Sequence, residues 1–360
     1  MNYSKKLSLP NGFVKYPTVL SPMAGVTDPP FRRLVRELSQ DRMGILVSEF
    51  ISTDGCDPFS LKNRKQASFS QEERPFGIQI FGRDPERMAN AAAMIETLSP
   101  DFIEINAGCP VPKVAGKGGG AGLLRDLPRL RKIIAEVRKV IQLPLTLKCR
   151  LGWDEESINV METLAIAEGE GIHWLTVHGR TRVQGYNGFA DWEKMGEVAS
   201  QAKIPVIGNG DVVSALGAIE VMNRYPVAGV AIGRGALHNP WLFGQIASLC
   251  DGKEVSPISA REVVQTFFRY YDLMIETGAF PEGALGRLKQ LAARLCKGFS
   301  PSLPNFRQDL LVSQSVEAFM ERAKMFMESE CDGYYFEPER LLNLNGKSSE
   351  EIIFERQFKR

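Results

Sequence analysis

The sequence predicts an α/β protein, a (β/α)8 TIM barrel followed by a smaller all-helical domain. Three observations predict it: short apolar, β-branched runs recur along the chain, segments with helical spacing separate them, and the runs end before Cys250. Eight units over ~250 residues have the size of a closed barrel, with a doubly wound open sheet as the alternative. The eight runs are TVLSPMAG, GILVSEF, FGIQIFG, FIEINAG, LTLKCRLG, WLTVHGR, PVIGNGD and GVAIGRG.

The connecting segments and the C-terminal third have a different pattern. DLPRLRKIIAEVRKVIQ and SALGAIEVMNRY have apolar residues at helical spacing between the strand-like runs. After Cys250, SAREVVQTFFRYYDLMIETG, EGALGRLKQLAARLCKGF and SQSVEAFMERAKMFMESE predict three or four helices. We therefore predict a catalytic barrel domain at 1–250, a helical domain at 251–330, and a C-terminal tail of unknown role at 331–360.

Composition excludes several classes of protein. The chain has 360 residues, of which 44% are hydrophobic and 24% are charged, as is usual for a folded protein with a large core. No apolar stretch approaches the ~18 residues that suggest a membrane span, and the N-terminus lacks the pattern of a signal peptide, so a cytoplasmic location is expected. Six scattered cysteines without a C-x-x-C predict neither a metal site nor a disulfide framework.

Polar side chains stand where the predicted strands end, which is the face where barrel enzymes place their chemistry. Any one of them is also compatible with a satisfied structural polar group, but eight together favour a functional site. Their positions are Met23, Glu49, Gln79, Asn106, Lys148, His178, Asn209 and Arg234.

Two glycine-rich strand ends predict a phosphate site. VIGNGD and GVAIGRG end the seventh and eighth runs, where barrels commonly bind phosphate on backbone amides. Arg234 adds a bidentate donor, and Lys148 could supply a cation to the edge of a flat phosphorylated cofactor.

Charge is distributed unevenly, although the net charge of +1 gives no overall case for a nucleic-acid partner. In EGALGRLKQLAARLCKGF the arc opposite the leucine face is basic, with Arg287, Arg294 and Lys297 and no interleaved acids. A solvated face is one reading, and an anionic partner is the other. Between Val111 and Arg125 the cations also have no acid beside them.

Six motifs together carry a family resemblance. In order they are SPMAGVTD, INAGCPVPKVAGKGGGAGLL, LKCRLGWD, VHGRTRVQGY, VIGNGD and IGRGAL. They resemble the tRNA-dihydrouridine synthases, flavin enzymes that reduce a uridine in transfer RNA, and the resemblance runs from about Val19 to about Met327. LGWD, HGRT with QGY, and GRLKQ look most like the bacterial C subfamily. The family usually has a bulkier residue where Ala107 stands.

The resemblance implies FMN as the cofactor, reduced by NADPH, and tRNA as the partner, with no membrane, metal or protein partner. Hydride from the flavin would reach C6 of uracil, and Cys109 would protonate C5 as a general acid, since a thiol of ordinary pKa ~8.5 is mostly protonated at neutral pH. Asn106 would lie beside the uracil. The residues implied to bind FMN are Pro22, Met23, Ala24, Gln79, Lys148, His178, Asn209, Gly210, Asp211, Gly233 and Arg234.

A uridine stacked within folded RNA must be flipped out to reach a site in a barrel mouth. Besides Asn106, the candidate substrate- and tRNA-binding residues are Lys113, Lys117, Arg180, Gln184, Arg287, Lys289 and Arg294. Two rival functions stay open. An FMN-dependent barrel oxidoreductase acting on a small pyrimidine would share the phosphate loops, and a non-catalytic RNA-binding protein on a barrel scaffold would not need Cys109, Lys148 and His178 together.

Overall fold

The structure is a computed structural model that describes residues 7–9, 12–53, 65–278, 281–298, 304–329 and 335–336. The described residues form two compact units. The barrel unit lies within Met1–Asp28, Met43–Val212 and Glu220–Gly233, and the second unit within Pro29–Arg42, Val213–Ile219 and Arg234–Arg360.

Eight parallel strands close into a barrel in the first unit. Each strand pairs with the next along the chain, and β8 pairs with β1 to close the ring. The predicted TIM barrel is therefore confirmed, and closure excludes the open-sheet alternative. The strands are β1 Thr18–Leu20, β2 Ile45–Val47, β3 Phe76–Phe81, β4 Phe102–Ala107, β5 Leu145–Arg150, β6 Leu175–His178, β7 Val206–Asn209 and β8 Gly229–Ile232.

The barrel interior contains an apolar cluster and, separately, rows of polar side chains. A short antiparallel pair, Ser8–Leu9 with Gly12–Phe13, precedes β1 and contributes Leu7 and Leu9 to the core cluster. Phe102 and Trp174 pack edge to face there at 4.7 Å between ring centroids. The other members of this cluster are Val14, Val19, Ile45, Val47, Ile207 and Ala231.

The strand register aligns polar side chains of neighbouring strands in rows inside the barrel. Residues paired across parallel strands share a face, so Gln79, Glu104 and Thr146 form one row across β3, β4 and β5. Asn106 pairs with Lys148 in the row toward the carboxyl ends of the strands. The chemistry-bearing side chains therefore converge at one end of the barrel, as the sequence predicts.

Amphipathic helices follow several barrel strands. Asp84 accepts a hydrogen bond from the Arg87 N–H and Asp126 accepts one from the Arg129 N–H, which satisfies amides at the N-termini of two helices. The helices wholly within the barrel unit include Pro85–Glu96, Leu127–Val140, Val160–Gly169 and Trp192–Gln201, and Ala215–Arg224 is divided between the units.

The second unit is mainly helical, as predicted for the C-terminal region. Arg269 binds Glu37 at 2.7 Å and Glu276 at 2.6 Å, and so ties Pro29–Leu38 to Ala260–Glu276. Ile258–Ser259 also pairs with Tyr335–Phe336, a short strand pair that helical periodicity does not signal. The helices are Pro29–Leu38, Arg234–His238, Leu242–Cys250, Ala260–Glu276, Pro281–Leu295, Pro304–Leu311 and Val316–Ser329.

The division at residue 250 into functional domains stays a prediction. The second unit takes in Pro29–Arg42 from the N-terminal third, which no composition change in the sequence indicates. Apart from Tyr335–Phe336, the predicted tail at 331–360 lies outside the described residues. Among the described helices, none has the length and apolarity needed to cross a membrane.

Candidate active site

Four of the predicted side chains form hydrogen bonds at the mouth of the barrel. Asn106 on β4 donates from Nδ2 to Gln79 Oε1 on β3 at 2.8 Å. Lys148 on β5 donates from Nζ to Asn209 Oδ1 on β7 at 2.8 Å, and Asn209 Nδ2 donates to the Ala231 carbonyl at 2.6 Å. Each residue lies in the carboxyl-terminal half of a different strand, so the parallel barrel brings together groups that are far apart in sequence.

Cys109 lies directly beyond β4, where Asn106 holds its backbone. Asn106 Oδ1 accepts from the N–H groups of Gly108 and Cys109, both at 2.9 Å. The Cys109 side chain is buried and belongs to a free cysteine. Burial raises the pKa of the Cys109 thiol above its ordinary value, against the opposing effects of the Val111 backbone N–H and the Arg150 charge. The group is therefore a thiol, not a thiolate, at neutral pH.

The glycine-rich segment folds back on Cys109. Gly120 has a φ of +52°, and a Cβ there would lie 3.0 Å from both Cys109 Cβ and the Cys109 carbonyl oxygen. The Ala121 N–H donates to that carbonyl at 3.1 Å. Only glycine allows this close approach in the left-handed region, so the segment forms a compact wall beside the thiol.

Lys148 and Glu104 share the barrel interior. Burial lowers the pKa of Lys148 to about 8, while the Glu104 charge raises it and Arg150 lowers it. Burial raises the pKa of Glu104 to about 7, with Lys148 and the hydrogen bonds from Gln79 and Thr146 opposing. Such perturbed groups in a concave mouth are typical of functional sites.

Arg150 is a site residue that the sequence analysis missed. Its guanidinium is buried and donates at 2.8 Å to the carbonyls of Gly108, Thr181 and Gly185. It therefore links the loop that carries Cys109 to the loop after β6. Its only sequence signal is its position at the end of the run LTLKCR, two residues beyond Lys148 on the same predicted strand end.

Arg180 and Asp211 pair with each other. Arg180 Nη2 lies 2.8 Å from both Asp211 carboxylate oxygens and also donates to the Gly188 carbonyl at 2.7 Å. Asp211 accepts a further hydrogen bond from the Ala190 N–H at 2.7 Å. The predicted roles, phosphate binding for Asp211 and substrate binding for Arg180, stay predictions. Because the Asp211 carboxylate is negatively charged and paired with Arg180, its backbone N–H is the group of Asp211 that suits an anion.

His178 ends β6 and lies next to Arg180 and Tyr186. Arg180 Nη1 is 3.4 Å from His178 Nε2, and the Tyr186 ring centroid lies 6.2 Å from that of His178. Tyr186 is more than half exposed at 56%, so this side of the mouth presents an aromatic ring to solvent. Gln184, a predicted substrate contact, accepts from the Thr181 N–H at 2.8 Å within its own turn.

The ends of β1, β7 and β8 offer small residues and an unused donor. Gly210 has a φ of +134°, and a Cβ there would lie 2.4 Å from Ala190 Cβ. At Gly233 the nearest atom to an added Cβ would be Met23 Sδ at 3.5 Å, with Ser21 Cβ at 3.8 Å. The buried Ser21 hydroxyl has no hydrogen-bond partner among the residues that the structure describes. An unpaired buried hydroxyl close to the half-buried Gly233 fits a bound polar group.

The loop after β1 contains the other residues predicted to lie under a flat cofactor. Pro22 and Met23 are half-buried and Ala24 is exposed. The Met23 N–H donates to Thr27 Oγ1 at 2.9 Å, and the Gly25 N–H donates to the Glu49 carboxylate. These bonds give the loop a defined shape, with Glu49 acting as its support.

The basic candidates divide between the two units. Lys113 and Lys117 are exposed on the barrel unit, in the loop beyond Cys109. In the second unit Arg294 is exposed, while Arg287 and Lys289 are half-buried.

Arg234 is exposed at the start of helix Arg234–His238. Burial, together with the charges of Arg294, Lys297 and Arg234, lowers the pKa of His238 to about 4. The second unit therefore carries a concentrated positive field around this helix.

A closed parallel barrel with buried lysine, amide and thiol groups at its carboxyl end is the architecture of a barrel enzyme. Residues 19–329 match the family model described as Dihydrouridine synthase (Dus). The chain belongs to this family, and the resemblance seen in its motifs is confirmed.

Curated relatives carry related names. A probable tRNA-dihydrouridine synthase of Rhodobacter capsulatus is 39% identical over 66% of this chain and 72% of its own. One of Rickettsia bellii is 35% identical over 80% and 86%. tRNA-dihydrouridine synthase B of Pseudomonas aeruginosa is 40% identical over 63% and 68%. Because relatives include B enzymes, the C-subfamily assignment is not confirmed.

Solved structures share the fold at low identity. A 2-naphthoyl-CoA reductase complex superposes with a TM-score of 0.52 at 12% identity, over 70% of this chain and 52% of that chain. This chain thus spans about half of that longer protein. The old yellow enzyme homologue from Zymomonas mobilis gives a TM-score of 0.51 at 11% identity, over 71% and 94%.

Proposed function

We propose that this protein is a tRNA-dihydrouridine synthase that reduces a flipped-out uridine of tRNA to 5,6-dihydrouridine. The observation that carries the proposal is the position of Cys109, a protonated thiol held by Asn106 above a barrel mouth lined by Gln79 and Lys148. Membership of the dihydrouridine synthase family and the names of its relatives support the same reaction.

FMN is the proposed cofactor. Lys148 and Gln79 would lie along the ring edge, and the backbone at Gly210 and Gly233 would bind the phosphate together with Arg234. Within the described part of the chain, the Ser21 hydroxyl is a donor without a partner. Pro22, Met23, Ala24, His178, Asn209 and Asp211 complete the proposed cofactor-binding set. When bound and reduced by NADPH, FMN supplies a hydride to C6 of the uracil.

Cys109 supplies the proton at C5 in this proposal. The raised pKa keeps the proton on sulfur until it is needed, which suits a general acid and not a nucleophile. Asn106 Oδ1 accepts from two backbone N–H groups and Nδ2 donates to Gln79, so its proposed contact with uracil would use the second Nδ2–H as a donor. Arg150 would hold the loop after β4 and the loop after β6 together beside the base.

The finer assignments stay proposals. The motifs suggest the C subfamily, whereas relatives include B enzymes. NADPH as the reductant, which the resemblance implies, and a cytoplasmic location are part of the proposal.

The deciding experiment is mass-spectrometric mapping of dihydrouridine in tRNA incubated with the protein, FMN and NADPH. Cys109→Ala should slow uridine reduction by roughly 10²- to 10⁴-fold, the scale for a lost general acid, while flavin binding and flavin reduction stay unchanged. Cys250→Ala, which removes a half-buried thiol of the second unit, is the matched control and should retain activity. Normal turnover by Cys109→Ala would assign the proton to another donor. Reduction of free uridine in preference to tRNA would favour the small-pyrimidine oxidoreductase.

The proposed tRNA contacts have a test of their own. Each phosphate contact that is lost should reduce the log-log salt slope of binding by roughly one. Arg287→Ala combined with Arg294→Ala should therefore weaken tRNA binding and flatten its salt dependence without changing flavin content. If affinity and slope match those of the parent protein, the basic arc is a solvated face and Lys113 and Lys117 on the rim become the candidates.

A further inference from the structure

Glu104 is a buried carboxylate that neither the sequence analysis nor the proposed reaction uses. It lies on β4 in the row of interior residues below Asn106, and only 1% of its surface is exposed. Gln79 Nε2 donates to Glu104 Oε2 at 2.5 Å. Burying a carboxylate is costly, so a hydrophobic residue would be the less expensive choice for a barrel core.

The hydrogen bonds above Glu104 form a chain with a fixed direction. An ionised carboxylate only accepts, so Gln79 must turn its NH₂ group toward Glu104 and its Oε1 toward Asn106. Asn106 must then use Nδ2 as the donor and leave Oδ1 for the N–H groups of Gly108 and Cys109. The polarity of one carboxylate therefore determines the orientation of two amides and the anchoring of the cysteine loop.

A second effect of Glu104 acts on Lys148, two residues beyond Thr146 on β5. Lys148 donates to Asn209, and it faces three further titratable groups, Glu104, Arg150 and the Cys149 thiol. Burial and the positive charge of Arg150 both disfavour the ammonium form, whereas Glu104 favours it. Among the described carboxylates, Glu104 is the one that acts on this buried lysine.

We propose that Glu104, when ionised, is a positioning residue, whose acceptor-only carboxylate orients Gln79 and Asn106 beneath Cys109 and whose charge holds Lys148 in its ammonium form. The consequence for catalysis rests on the proposed function, because the lysine and the thiol are the groups assigned to the cofactor and to the uracil. The electrostatic and orientational roles are properties of the protein alone and are measurable without substrate.

The first test is an NMR titration of cofactor-free protein carrying ¹³Cε-labelled lysine, with the Lys148 resonance assigned by its loss in K148R. Glu104→Gln keeps the shape and removes the charge. Glu73→Gln is the matched control, because Glu73 is also 1% exposed and accepts from the Ser70 N–H at 3.0 Å. The pKa of Lys148 should fall by about 1 or more in Glu104→Gln, the usual effect of losing a nearby opposite charge, and should stay at the parent value in Glu73→Gln. Equal Lys148 pKa values in the parent protein, Glu104→Gln and Glu73→Gln would overturn the proposal.

A second measurement needs no variant at Glu104, in case Glu104→Gln fails to fold. In the parent protein the side-chain ¹⁵N resonance of Gln79 should move with an inflection near the Glu104 pKa of about 7, because protonation changes the group that it donates to. The Asn159 amide, which donates to the Leu124 carbonyl at 2.7 Å, should stay constant. A Gln79 resonance independent of pH would refute the orientational role. Neither titration depends on tRNA activity, so failure here and failure of the proposed function are separate results.

Discussion

Replacing Arg150 tests how the active-site rim is held together. Arg150→Met keeps most of the apolar stem and removes all donors of a side chain that is 1% exposed. Three hydrogen bonds of 2.8 Å are lost, to the carbonyls of Gly108, Thr181 and Gly185. Hydrogen bonds to a charged donor contribute about 1.5–3 kcal/mol each. The carbonyls of Gly108 and Gly185 lie in rim loops and regain some water, so the expected loss is about 2–4 kcal/mol.

The assay combines urea unfolding with amide hydrogen exchange. We expect amide exchange to become faster in the loop of Cys109 and in 181–185, because the hydrogen bonds of Arg150 connect these two segments. Arg150→Lys should recover only part of the loss, since one ammonium cannot reach all three carbonyls. Arg138→Met is the matched control: Arg138 binds the Leu143 carbonyl at 2.9 Å and the Ile141 carbonyl at 2.5 Å in a surface turn. If Arg150→Met lowers the free energy of unfolding by less than about 1 kcal/mol and leaves amide exchange in both loops unchanged, Arg150 does not hold these loops together.

Two further predictions concern backbone space and pH. Gly210→Ala should destabilise the protein by about 1–3 kcal/mol in thermal unfolding, because the added Cβ would lie 2.4 Å from Ala190 Cβ at a φ of +134°. Gly283→Ala, in a helix with nothing within 4 Å of the added Cβ, should instead stabilise it by about 1 kcal/mol, and equal effects at the two glycines would contradict this reasoning. Burial raises the pKa of Glu104 from 4.5 to about 7, so between these pH values the unfolded chain has lost this proton while the folded protein keeps it. The free energy of unfolding should therefore decline, by at most about 3 kcal/mol, as pH rises from 4.5 to about 7. Glu104→Gln should abolish that decline in urea titrations across the same pH range.

Local patterns were sufficient to predict much of this protein. The spacing of apolar residues predicted all eight barrel strands and the helical C-terminal region, because burial on a strand or a helix leaves a period in the sequence. Polar residues at strand ends predicted the mouth that Gln79, Asn106 and Lys148 line, since parallel strands bring their carboxyl ends together. The position of Cys109 after β4 followed from the same rule.

Pairings across the barrel were decided only by the tertiary structure. Glu104 and Gln79 are 25 residues apart, Arg150 and Gly108 are 42 apart, and Arg180 and Asp211 are 31 apart. A carboxylate or guanidinium in a strand carries no local signal of its partner, because strand register and loop closure set which groups meet. The resemblance implied Asp211 as a cofactor-binding residue, which stays a prediction. Its side chain pairs with Arg180, since the buried guanidinium needs a counter-charge and closure of the barrel places this carboxylate within reach.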